Sequence, residues 1–151
     1  MGQVSGFKNE IMDRLRSIGG NLSQILTPFC AKWGITPVLL RVLDEISQIG
    51  PVSIGNLASR VGIVLTNLSS CCKKLERLGY VSRTRSSEDE RVVLIALTRQ
   101  GEKLVEDIHA DIEDAFRMFF ESLDKGEEEE MLIQLARLDE LTTRLRIEAV
   151  K

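Results

Sequence analysis

The sequence is poor in the residues that build metal centres and disulfide frameworks. It has one histidine and three cysteines among 151 residues, and the cysteines lack the spacing of metal ligands. An odd number of cysteines is typical of a reducing compartment, so neither structural zinc nor a set of disulfides is expected. The sequence also lacks a phosphate-cradling loop, a carboxylate pair in an apolar context and a nucleophile motif. We therefore expect no enzyme, and no catalytic residue, metal or cofactor.

Long apolar runs are also absent. Charged residues interrupt the first 17 positions, which is not the pattern of a signal peptide. No run approaches the ~20 apolar residues that cross a bilayer. These two absences predict a cytoplasmic protein with no membrane partner. At 151 residues and 43% hydrophobic content, the chain is long enough for one compact domain with its own core.

Positive charge is concentrated in one part of the chain. The net charge is −3, yet residues 53–92 hold seven Lys or Arg against four Asp or Glu, a local charge of +3. The remaining residues therefore carry −6. An acidic body with one basic region is the distribution expected when a single surface binds nucleic acid.

The basic region begins with two predicted helices joined by a tight turn. Ser53 is a candidate N-cap for a first helix that ends near Val61, and Gly62 suits the turn. In the second helix, apolar residues recur on one face at Leu65, Leu68, Cys71, Cys72, Leu75 and Leu78. The opposite face carries short polar side chains followed by cations: Thr66, Asn67, Ser69, Ser70, Lys73, Lys74 and Arg77.

This polar face has two interpretations. Short Ser, Thr and Asn side chains allow a helix to lie deep in the major groove of DNA, where Asn can pair with adenine and Lys can reach guanine or phosphate. A polar outer face is also normal for any solvated helix. The residues that follow favour the first interpretation.

A basic hairpin comes next. Two runs of strand-forming residues, Tyr80–Ser82 and Arg91–Ala96, are separated by residues 83–90, after Gly79 as a C-cap. Because residues two apart on a strand share a face, the Asp89 carboxylate is expected to hold the Arg91 guanidinium. The alternative is a surface ion pair without a function. The 92–97 strand is apolar on both faces and is expected to be covered on both.

The helix pair and hairpin resemble a winged helix-turn-helix, and the motifs resemble those of the MarR family of bacterial transcriptional regulators. The motifs are Leu75-Glu76, Arg83, Asp89-x-Arg91 and Leu97-Thr98-x-x-Gly101. The resemblance implies that the second helix recognises DNA and that the wing arginine enters the minor groove, where A/T-rich tracts concentrate negative potential. The DNA-binding residues expected on this basis are Thr66, Asn67, Ser69, Ser70, Lys73, Arg83, Arg85, Ser86, Asp89 and Arg91.

The predicted fold class is mainly α with a small β-wing. Residues 36–98 form the winged helix-turn-helix, with the recognition helix at about 65–78 and the wing at about 80–97. Residues 7–34 and 99–148 form long amphipathic helices, with Gly126 and an acidic run separating the last two. Since these helices are too long to be buried by so small a winged helix-turn-helix, we expect a homodimer. A monomeric helical hairpin is the alternative.

The expected function is that of a homodimeric repressor. Two recognition helices related by a two-fold axis would bind an inverted repeat in double-stranded DNA. The family resemblance implies release by a small molecule, often an aromatic acid, or by an oxidant. Phe29, Cys30 and Trp33 are candidates for a ligand pocket, with ordinary core or dimer packing as the alternative. A regulator without an effector and a winged-helix adaptor that binds protein are the competing functions.

Overall fold

The computed structural model describes residues 2–87, 89 and 91–149, in two compact units that meet in sequence between Ile112 and Glu113. Its described residues form six α-helices and a three-stranded antiparallel sheet. The predicted fold class, mainly α with a small β-wing, is confirmed. No helix among these residues is long and apolar enough to cross a lipid bilayer.

Polar side chains cap the starts of helices in the first unit, as predicted for Ser53. Thr36 accepts a hydrogen bond from the Leu39 N–H at 3.4 Å, with Pro37 in the first helical position. Ser53 accepts one from the Asn56 N–H at 3.3 Å. The helices are α1 (Gly2–Ala31), α2 (Pro37–Ile49), α3 (Ile54–Val61), α4 (Leu65–Arg77) and α5 (Arg99–Ser122), of which α5 continues into the second unit.

The sheet is larger than the predicted hairpin. Its strands are β1 (Val52–Ser53), β2 (Val81–Arg85) and β3 (Val93–Leu97), in the order β1-β3-β2. The predicted first strand stopped at residue 82, but β2 continues to Arg85. Arg83 and Arg85 therefore lie on a strand and not in the loop. The two-residue β1 was not predicted, because it is too short to show an alternating pattern. Val93 is exposed, so β3 is not covered on both faces at its outer end.

One apolar core connects the helices and strands of the first unit. Its largest fully buried side chains come from α2, α3, α4, β3 and α5, and include Leu43, Ile46, Leu57, Leu68, Leu75, Ile95, Leu104 and Ile108. Burial of each such side chain contributes about 1.5–3 kcal/mol relative to exposure. The position of α4 is therefore fixed by the same core that holds the sheet.

Several long helices carry apolar side chains that the single chain leaves exposed. On α1 these are Met12, Leu15, Ile18, Leu22 and Ile25. The second unit contains the end of α5 and α6 (Lys125–Ala149), and no side chain described in this unit is buried. Its exposed apolar residues include Met118, Phe119, Phe120, Met131, Leu132 and Leu135. Gly126 lies inside α6, which corrects its predicted place in the preceding loop.

Candidate nucleic-acid interface

Helix α4 packs one face against the core and presents the other to solvent. Leu68, Cys72 and Leu75 are its buried residues. On the predicted outer face, Ser69 and Lys74 are half-buried, and the exposed residues are Thr66, Asn67, Ser70, Lys73 and Arg77. The buried face is narrower than the sequence predicted, because Leu65 and Leu78 are exposed and Cys71 is only half-buried.

The C-terminus of α4 ends in a Schellman turn. The Tyr80 N–H donates to the Leu75 carbonyl and the Gly79 N–H to the Glu76 carbonyl, both at 3.0 Å. Gly79 has φ +79°, the left-handed conformation that this turn requires. It lies one residue beyond the helix cap, Leu78, which shifts the predicted C-cap by one position.

A close contact then fixes this turn to the start of α5. The Thr98 N–H donates to the Tyr80 carbonyl at 3.0 Å, and the Thr98 hydroxyl donates to the Gly79 carbonyl at 2.6 Å. The same hydroxyl accepts from the Gly101 N–H at 3.0 Å and so caps α5. A Cβ at position 101 would lie 2.0 Å from the Tyr80 carbonyl oxygen. We call these four residues the recognition-helix clasp, and they explain the Leu-Thr-x-x-Gly motif.

The tip of the wing is shaped by backbone hydrogen bonds. The Asp89 carboxylate accepts from the backbone N–H of Arg91 at 2.9 Å, and the Asp89 carbonyl accepts from the Val92 N–H at 2.9 Å. The predicted pairing of Asp89 with the Arg91 guanidinium is therefore wrong. Ser86 is half-buried beside this turn, and its N–H donates to the Val92 carbonyl. Asp89 therefore binds the backbone of Arg91 and Val92.

Arg83 is placed differently from the other wing arginines. Its side chain is 28% exposed, and its Nε lies 3.0 Å from Oε2 of Glu76 on α4. This contact is an ion pair without hydrogen-bond geometry: among the described residues, Nε and Nη2 of Arg83 are buried with no hydrogen-bond partner. Arg83 thus links β2 to α4, and its expected contact with DNA stays a prediction.

Apart from Arg83, the described cations of α4 and the wing have no carboxylate partner among the described residues, whereas most described cations elsewhere in the first unit have one. Described cations that pair with carboxylates are Arg14, Arg16, Lys32, Arg60, Arg83 and Lys103. Arg41 donates to the Val61 carbonyl at the end of α3, a contact that no sequence pattern indicated. Within the described residues no ion pair involves Lys73, Lys74, Arg77, Arg85 or Arg91. Among the described residues, no carboxylate therefore neutralises the positive charge of these five side chains.

The predicted ligand-pocket residues lie at the end of α1. Cys30 is fully buried, and its burial, with a smaller contribution from the Asp44 charge, raises the pKa of its thiol. Phe29 and Trp33 are partly buried against the core. The indole N–H of Trp33 is buried and finds no hydrogen-bond partner in the described part of the chain. No group of metal-ligating side chains occurs among the residues described.

The first unit contains a winged helix-turn-helix. It consists of the consecutive helices α3 and α4 and the hairpin formed by β2 and β3. A family model described as "Transcriptional regulator SarA/Rot" matches residues 24–108. The chain belongs to this family of transcriptional regulators. The expectation of a MarR-type regulator, and not an enzyme, is thereby confirmed.

Individual relatives agree with this assignment. The HTH-type transcriptional regulator FarR of Neisseria gonorrhoeae is 27% identical over 116 residues, which cover 75% of this chain and 80% of that protein. SarZ of Staphylococcus saprophyticus is 32% identical over 100 residues, covering 66% and 68% respectively. A mutant MarR from E. coli complexed with operator DNA is similar in fold, with a TM-score of 0.73 and 23% identity over 86% of this chain and 96% of that chain.

Proposed function

We propose that the protein is a cytoplasmic homodimeric repressor that binds an inverted repeat in double-stranded DNA. The observation that carries this proposal is the set of exposed cations on α4 and the wing that have no carboxylate partner within the described residues. Elsewhere in the first unit, most described cations are neutralised by the chain itself. Phosphates are the partners that such a surface fits, since each contact releases a counterion from DNA.

The proposed contacts divide between two grooves. Thr66, Asn67, Ser69, Ser70 and Lys73 on α4 would enter the major groove, where base edges can be distinguished. Arg85 and Arg91 on the wing would reach the adjacent minor groove, while Ser86 and Asp89 hold the loop that presents them. Arg83 supports this surface by holding β2 against α4.

Exposed apolar residues support the dimer. The apolar side chains of α1, α5 and α6 named in the fold description are exposed in the single chain. On α1 these residues recur every three or four positions and so share one helical face, and an exposed apolar face marks an interaction site. A two-fold dimer would place the recognition helices ~34–36 Å apart, so the operator should have half-sites about one DNA turn apart.

We propose that release involves a small aromatic ligand rather than oxidation of Cys30. A reactive cysteine needs a lowered pKa and solvent access, and Cys30 has neither. Trp33 instead offers a buried indole N–H without a hydrogen-bond partner among the described residues, on a ring over which the Lys32 ammonium lies 5.7 Å from the centroid. The ligand would contact Trp33 and Phe29, with Cys30 as a packing residue.

The test is fluorescence anisotropy on a duplex enriched from a random library by the purified protein, compared with a shuffled duplex, over a salt series. We expect a preference of ~10³ or more for the enriched duplex and a salt slope that fits ~6–10 phosphate contacts. Weak and equal binding to both duplexes would contradict specific DNA binding and favour a protein-binding adaptor.

Variants separate the two kinds of contact. Arg91→Ala should weaken binding to all A/T-flanked sites and lower the salt slope by about 1. Asn67→Ala or Ser70→Ala should change the preferred sequence and leave the slope nearly unchanged. Arg14→Ala is the matched control, because Arg14 is exposed on α1 but paired with Glu10. Equal losses on every sequence for all variants would contradict this division.

A further inference from the structure

Two large apolar side chains are exposed at the start of the recognition helix. Val64, the N-cap residue of α4, is 69% exposed, and Leu65, its first residue, is 52% exposed. The helical pattern placed Leu65 with the buried face, but the core is reached only from Leu68 onward. Val64 makes no side-chain capping bond, so neither packing nor capping accounts for these two residues.

Their place in the helix indicates what they face. Side chains on an α-helix lean toward its N-terminus, so residues at this end project ahead of the first turn. In helix-turn-helix proteins, the N-terminal residues of the recognition helix contact base edges. Val64 and Leu65 immediately precede Thr66 and Asn67, which are exposed polar residues of the proposed reading surface. The apolar pair is therefore continuous with the surface that would enter the groove.

The chemistry of the groove limits the possible partner. Base edges in the major groove present hydrogen-bond donors and acceptors, and one apolar group, the C5-methyl of thymine. An aliphatic side chain gains nothing from the polar groups and would leave them unpaired. The methyl is the group that Val64 and Leu65 can contact favourably.

We propose that Val64 and Leu65 are specificity residues that recognise thymine in each half-site through its C5-methyl group. This inference rests on the proposed function, because it requires α4 to enter the major groove. It assigns thymine preference to apolar contact, and leaves the hydrogen-bonded readout to Thr66, Asn67 and Ser70.

The first test removes the methyl from the DNA and leaves the protein unchanged. In the enriched duplex, each thymine is replaced in turn by deoxyuridine, which lacks only the C5-methyl, and affinity is measured by anisotropy. Loss of one buried methyl should weaken binding roughly fourfold, and loss of the symmetric pair roughly 15-fold. Thymines outside the contacted positions should show no change.

The second test identifies the residues responsible. In the variants Val64→Ala and Leu65→Ala, the ratio of the affinities for the thymine and deoxyuridine duplexes should fall toward 1 at the position that the replaced residue contacts. This loss of additivity is what a double-mutant cycle measures. Val38→Ala is the matched control, because Val38 is an exposed valine on α2 and should leave the full penalty in place. Thermal melting checks that the variants fold.

The outcomes distinguish this inference from the function on which it rests. If the enriched duplex is still preferred over the shuffled one but no deoxyuridine position weakens binding, the inference is overturned and the regulator stands. If deoxyuridine weakens the variants as much as the wild type, another residue reads the methyl and the assignment is overturned. Loss of all preference between the two duplexes would overturn both.

Discussion

Replacing Gly101 by alanine should destabilise the protein, although alanine in a helix normally stabilises it. Alanine is favoured over glycine by about 1 kcal/mol in a helix interior. Against this, the added Cβ would lie 2.0 Å from the Tyr80 carbonyl oxygen and 2.9 Å from its carbon. Both are backbone atoms, so the clash can be relieved only by separating the start of α5 from the turn after α4.

The size of the effect follows from what that separation breaks. Overpacking in a well-packed region costs about 1–3 kcal/mol. Separation also strains the two hydrogen bonds from Thr98 to the Tyr80 and Gly79 carbonyls, each with a net contribution of about 1 kcal/mol. After subtracting the helix-propensity gain, Gly101→Ala should lower the free energy of unfolding by roughly 2–4 kcal/mol.

Urea unfolding followed by circular dichroism, at one protein concentration for all variants, measures this difference. Gly55→Ala is the control, because Gly55 lies in α3 of the same unit and its Cβ would meet no atom within 4 Å. It should leave stability unchanged or raise it by up to about 1 kcal/mol. If Gly101→Ala behaves like Gly55→Ala, the close approach of α5 to Tyr80 is refuted.

Three further predictions concern Arg83 and the cysteines. Arg83→Ala should lower the melting temperature and DNA affinity while leaving the salt slope unchanged, since Arg83 pairs with Glu76; a slope reduced by about 1 would show a phosphate contact instead. In the native protein at neutral pH, Ellman's reagent should label Cys71 alone, because burial raises the pKa of the Cys30 and Cys72 thiols. Fast labelling of Cys30 in a Cys71→Ser variant would contradict this. Because the pKa values of these two thiols are raised in the folded state, the thiols stabilise the protein below the unfolded thiol pKa of about 8.5, and this stabilisation is lost as the pH rises further. The urea midpoint should therefore fall as the pH is raised above that value.

Local signals in the sequence mark the starts of three helices. Thr36-Pro37, Ser53 and Thr98 mark the beginnings of α2, α3 and α5, because caps depend on nearby backbone groups. The outer polar face of α4 was also predictable, since helical periodicity separates two faces. Periodicity does not say how far the core extends along a helix, which is why Leu65 was assigned to the wrong environment.

Contacts between distant residues were not predictable in the same way. Arg83 and Arg85 are both wing arginines in the sequence, yet one packs against Glu76 and the other is exposed. Both arginines lie on the same face of β2, because they are two positions apart. They differ in their distance from the core, since Arg83 pairs with the buried Ile95 and Arg85 with the exposed Val93. Asp89 was correctly placed at the tip, but sequence spacing alone could not show that its partner is the backbone N–H of Arg91.

The recognition-helix clasp has a consequence for how regulators of this kind can diversify. Most of its hydrogen bonds use backbone carbonyl or N–H groups, and it begins just after α4 ends. The outward residues between Val64 and Arg77, except Glu76, which pairs with Arg83, can therefore be exchanged without altering the attachment of the helix. Position 101, by contrast, accepts only glycine while Tyr80 keeps its place. The exposed residues of α4 can thus vary while the clasp that holds the helix in place is kept. We therefore expect that a new operator preference can arise by substitutions confined to α4.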